Sequence, residues 1–90
     1  MLVDSHCHLD RLDLAEHNGC LDTALDAARA CGVGHFLCIG VSADNAAAVK
    51  ALAGRYDDVD CSVGIHPLDL APGQPPALDW LLAELDDPRV

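Results

Sequence analysis

A chain of 90 residues, 51% hydrophobic and 22% charged, is long enough for one small globular domain but short of most complete α/β folds. Its net charge of −10, with Arg11, Arg29, Lys50, Arg55 and Arg89 as the cations, argues against a basic surface that grips a polyanion. A phosphate-bearing substrate stays open, because bound divalent cations can supply positive charge locally. There is no apolar run of about 18 residues to span a membrane. Asp4, His6, His8 and Asp10 stand where a secretory leader would carry its basic and apolar regions, so the chain reads as cytoplasmic.

In chain order, Leu2 to Cys7 reads as a short strand, and a polar loop follows from Leu9 to about Asn18. Leu21, Ala24, Leu25 and Ala28 recur at i, i+3, i+4 and i+7 and predict a helix that Gly32 stops. Val33 to Val41 is apolar on both faces, the pattern of a parallel strand covered on both sides. Ser42 offers an N-cap to a second helix, with Asp44 favouring the dipole in its first turn. Ala46, Val49, Leu52 and Ala53 form the apolar face of that helix, and Gly54 marks its approximate end.

A third strand, Val59 to Ile65, leads into His66-Pro67. After a loop around Pro72-Gly73, Pro75 and Pro76 stand at a helix start. Leu78, Leu81, Leu82 and Leu85 give this helix its face, and Asp86-Asp87-Pro88 ends it. Arg89-Val90 looks like the first step of a fourth strand. The order βαβαβα implies parallel strands with right-handed crossovers. Residues 1–90 show no internal boundary and read as the first portion of a larger α/β fold.

Five cysteines, Cys7, Cys20, Cys31, Cys38 and Cys61, are odd in number and contain no C-x-x-C. They read as reduced thiols acting as small, mostly buried apolar residues.

The residues suited to chemistry gather at predicted strand ends. Side chains two apart on a strand share a face, so His6 and His8 project together, with Asp4 in the same row. If the strand ends near His8, both lie at its carboxyl end, the edge where α/β folds place their sites. Two imidazoles from one strand suit zinc, manganese or iron. With five histidines an H-x-H arises by chance in roughly a quarter of shuffled chains, so position carries the argument more than spacing. Ligating imidazoles must be neutral, so metal affinity is expected to fall as pH drops through the histidine range. His66 also stands at a strand's carboxyl end, and Gly64 offers room for a close approach there. Asp10 or Asp4 can order the histidines from behind. His35 lies in the amino-terminal half of its strand and reads as structural, and His17 as a loop residue facing solvent.

The stretch L-V-D-S-H-C-H-L-D, residues 2–10, resembles the opening motif of the TatD family of metal-dependent hydrolases. V-G-I-H-P, residues 63–67, is similar to that family's second landmark, and its distance from the first fits. The resemblance covers the whole chain as the first three βα units of a (β/α)8 TIM-type barrel, incomplete at 90 residues. It implies a one- or two-metal hydrolase, a deoxyribonuclease acting on phosphodiesters. His6 and His8 would be ligands of a divalent metal, Mg, Mn or Zn. His66 would line the same pocket as a catalytic residue, contacting substrate or supporting the metal.

The family's bridging glutamate, in a G-E-x-G-L-D segment on the fourth strand, would come after Val90. These 90 residues are therefore expected to be an N-terminal fragment with little activity alone. Amidohydrolase-type barrels also begin with H-x-H, which leaves amide or ester hydrolysis as an alternative. A further alternative is a non-enzymatic metal-binding module that self-associates through its open sheet edges.

Overall fold

The computed structural model describes residues 1–66 and 78–90. Three strands, β1 (Leu2–Cys7), β2 (Val33–Cys38) and β3 (Val59–Cys61), alternate with three helices, α1 (Leu21–Ala30), α2 (Ala43–Arg55) and α3 (Leu78–Glu84). The strands form one sheet in the order β1-β2-β3, and both pairings are parallel. An open parallel α/β sheet of this kind matches the expected opening units of a TIM-type barrel.

Local chemistry accounts for the boundaries. α1 ends because Gly32 takes the left-handed conformation, φ 99°, which glycine adopts without a Cβ penalty. α2 begins at a reciprocal cap, in which Asn45 N–H donates to Ser42 Oγ (3.2 Å) and Ser42 N–H donates to Asn45 Oδ1 (3.1 Å). This satisfies two otherwise orphaned donors.

β2 and β3 are both shorter than their apolar runs. Beyond Cys38 the cap draws the chain out of the ladder, because Val41 N–H also donates to Asn45 Oδ1 (3.0 Å). Beyond Cys61 the pairing continues irregularly, through Ser62 N–H to the Cys38 carbonyl (3.0 Å) and Gly40 N–H to the Ser62 carbonyl (3.1 Å). Gly40 is needed there, since a Cβ would collide with the Ser62 carbonyl oxygen.

The core lies between one face of the sheet and the first two helices. Leu25, Phe36, Cys38, Val49, Ala53, Val59 and Cys61 bury against one another, joined by Leu9. The other face is barer: Leu37 is half-buried and Asp60 exposed. Two-sided cover for β2 is thus not supplied by the described residues. Arg29 braces α1 against the approach to β3, its guanidinium donating to both carboxylate oxygens of Asp58 (2.7 and 2.9 Å).

At the far edge, Cys61 N–H donates to the Arg89 carbonyl (3.2 Å), and Val90 packs against the core. Arg89-Val90 is not a regular strand, but it makes the contact that a fourth strand's first rung would make. Leu82 on α3 and Leu85 just after it are 63% and 58% exposed while Leu81 is half-buried, so the expected apolar face is covered only in part. The expectations on Pro67, Pro72-Gly73, Pro75-Pro76 and the side chain of Leu78 lie outside the described residues.

Candidate metal centre at the carboxyl edge

Parallel pairing puts all three strands' carboxyl ends on one edge of the sheet, and the chemistry-bearing histidines follow. Cys7 pairs with Cys38 and turns toward the core. Its neighbours His6 and His8 share the opposite side, with ring centroids 5.2 Å apart and planes at 79°. The pair expected from H-x-H is therefore present as a pair.

Asp4 does not belong to that row. The pairings Asp4 with Phe36 and Cys7 with Cys38 leave an irregularity between Asp4 and Cys7, and such a bulge re-aims side chains. Asp4 turns its Oδ1 to the backbone N–H of His6 (3.2 Å) instead.

His8 is the better anchored of the two. It precedes a turn of 3-10 helix, Leu9–Arg11, closed by Arg11 N–H donating to the His8 carbonyl (3.0 Å). Leu9 is buried in the core, so a segment that reads as a polar loop is held from below. His8 is half-buried and His6 exposed. The His8 Nδ1 is buried with no hydrogen-bond partner among the described residues, an uncommon condition for a ring nitrogen.

His66 is exposed, and its N–H donates to the Val41 carbonyl (2.6 Å), tying the segment after β3 to the segment after β2. It occupies the same edge as the pair, with β2 between them.

Asp10 bonds neither histidine directly: its Oδ2 accepts from Asn45 Nδ2 (3.2 Å). A Cβ on Gly64 would meet nothing within 4 Å among the described residues, so the room expected there is open, while Gly40 is closely approached by the Ser62 carbonyl. His35 lies in β2 with its Nε2 2.7 Å from Asp60 Oδ2. His17 is half-buried at the end of a second 3-10 turn, Ala15–His17, rather than open to solvent. Asn45, buried at 9% exposure, was missed as a linking residue. Its only sequence signal was its place three residues after Ser42, where a capping partner stands.

Two facing imidazoles with an orphaned buried nitrogen fit part of a divalent-metal site. Catalytic sites usually take three protein ligands and an open position, and no group of three suitable side chains occurs among the described residues. His6 and His8 can hold a metal whose remaining ligands come from elsewhere. No helix among the described residues is long and apolar enough to cross a membrane.

The family model of TatD related DNases matches residues 3–90. An Escherichia coli protein named uncharacterized metal-dependent hydrolase YcfH is 38% identical over 68 residues, covering 76% of this chain and 26% of that protein. A Buchnera aphidicola protein, also named an uncharacterized metal-dependent hydrolase, is 34% identical over 68 residues with the same coverage. A second Escherichia coli protein, YjjV, similarly named, is 34% identical over 65 residues, 72% of this chain and 24% of its own length. The chain spans about a quarter of the length of these curated relatives.

Proposed function

The chain belongs to the family of TatD related DNases, and on that premise we propose that it carries the opening part of a metal-dependent hydrolase site acting on the phosphodiester backbone of DNA. The observation that carries this reading is the His6–His8 pair at the carboxyl edge, with the buried His8 Nδ1 unpartnered among the described residues. His6 and His8 hold a divalent metal through neutral imidazole nitrogens. When bound, such a metal lowers the pKa of its water and stabilises charge developing on phosphoryl oxygens. His66 lies on the same edge and offers an imidazole N–H to a substrate oxygen. The acidity of the chain, net −10, leaves the neutralisation of a phosphate to the metal.

The test combines binding with turnover. Manganese or zinc titrated into the protein is expected to bind, and His6→Ala or His8→Ala to abolish the binding. Binding indifferent to both substitutions overturns the reading. These 90 residues are expected to hydrolyse a bis-aryl phosphodiester barely, because their ligand set is partial. Brisk turnover lost in His6→Ala would show the set to be sufficient. Cleavage of an aryl ester or amide in place of the phosphodiester would move the reading to the amidohydrolase type.

A second reading, self-association, is favoured by β1, which pairs with β2 alone among the described strands and exposes Leu2 and Val3 at 62% and 55%. Sedimentation velocity would show a defined oligomer, and a monomer would remove it.

A further inference from the structure

Asn45 is the one buried polar side chain among the described residues, and its amide makes three hydrogen bonds. Oδ1 accepts from the N–H groups of Val41 (3.0 Å) and Ser42 (3.1 Å), and Nδ2 donates to Asp10 Oδ2 (3.2 Å). The two backbone donors fix the amide plane and so aim Nδ2 at Asp10. The Asp10 side chain is only 10% exposed, yet its nearest cation, Arg11 Nε, is 3.9 Å away. A carboxylate buried against a neutral amide is a poor arrangement for stability alone.

Its placement suggests another use. Asp10 sits in the 3-10 turn that begins after His8, and Asn45 in the first turn of α2, so their bond stitches the end of β1 to the start of the helix after β2.

We propose that Asp10 and Asn45 form a positioning clamp that fixes the turn behind His8 and thereby the direction in which its imidazole meets a divalent cation. This rests on the reading of His6 and His8 as metal ligands. The His8 backbone is then held on three sides. The Cys7 carbonyl accepts from Ile39 N–H (2.9 Å), Leu9 is sunk in the core, and Asp10 is bonded to Asn45. Loss of the third point leaves β1 and the core intact and frees the ring.

The test is an exchange. Asp10→Ala removes the acceptor, and Asn45→Asp sets two carboxylates against each other. Asp10→Asn combined with Asn45→Asp remakes the bond with donor and acceptor reversed, and the introduced carboxylate still accepts from Val41 and Ser42. Two readouts are taken: the His8 ring-nitrogen resonances of the metal-free chain, and cobalt(II) affinity from visible absorption. Each single variant is expected to shift the His8 resonances and weaken cobalt(II) binding about tenfold or more, while the amide resonances of Val49 and Val59 stay in place.

The double variant is expected to restore both readouts. A double variant no better than Asp10→Ala, or an Asp10→Ala chain with native His8 resonances, overturns the clamp. If a single variant unfolds, the double variant alone decides. The control His8→Ala separates the two readings. If it leaves cobalt(II) affinity unchanged, the metal-ligand reading falls, and the clamp is judged on the metal-free resonances.

Discussion

Phe36, Cys38, Val59 and Cys61 are sealed beneath α1 and α2, whereas His35, Leu37 and Asp60, one residue along the same strands, stay half-buried or exposed. The alternation continues at the end of β1, where Cys7 turns inward and His6 and His8 turn away. A step of one residue thus separates side chains that hold the chain folded from those that can meet a metal. Stability and chemistry are written on opposite strand faces, so a substitution on one should leave the other largely unchanged, the Asp10–Asn45 bond being the link between them.

The largest contrast is expected in thiol reactivity. Burial, with Asp4 nearby, pushes the Cys7 thiol up to about 12, and burial also raises Cys38 and Cys61. Hydrogen bonds at Thr23 draw Cys20 down, and Cys31 is exposed. Since the thiolate is the reacting species, Cys7 should alkylate about a thousandfold more slowly than an ordinary thiol near neutral pH. Mass-spectrometric mapping after iodoacetamide should find label on Cys20 and Cys31 first. Early label on Cys38 would mean the helix-covered face opens readily.

Next comes Leu25→Ala, which removes a side chain only 1% exposed at the centre of the core. A loss of about 3 kcal/mol is expected from the urea midpoint, with metal affinity unchanged wherever the chain remains folded. Ser42→Ala removes half of the reciprocal cap and should cost about 1 kcal/mol. A drop in metal affinity beyond that loss would show the two faces to be coupled through Asn45.

The smallest effect belongs to Arg29 and Asp58. Hydrogen bonds from Arg29 hold the Asp58 carboxyl below its ordinary value of 3.8. A depressed folded value contributes stability above the unfolded value and loses it as pH falls through the folded one. Asp58→Asn should therefore cost roughly 0.5–1 kcal/mol at pH 7, given the partly solvated pair. The gap between variant and parent should close below about pH 4, as followed by urea titration at each pH.

The parts of the molecule legible in the sequence are those set by neighbours along the chain. The Gly32 stop and the Ser42 cap rest on contacts within a few residues, and the apolar repeat of α2 needed only its period, whereas Leu2–Cys7 is held by rungs to β2 far along the chain. The strand ends were harder, because β2 gives way after Cys38 to irregular rungs and then to Asn45, which claims the Val41 and Ser42 donors, a competition the apolar run does not show. The bond from Asn45 to Asp10 spans 35 residues, and no local pattern announces it. The face of α3 was drawn from periodicity, but Leu82 and Leu85 need a neighbour that periodicity does not supply. At the site, H-x-H announced the pair, while its incompleteness concerns ligands on other elements.

Gly40 makes the carboxyl edge sensitive to a single methyl group. The last irregular rungs between β2 and β3 close only because nothing projects from that position toward Ser62. Any side chain there would act as a wedge driven into the seam just ahead of His66. The seam of the carboxyl edge beside His66 is therefore kept closed by an absence of atoms.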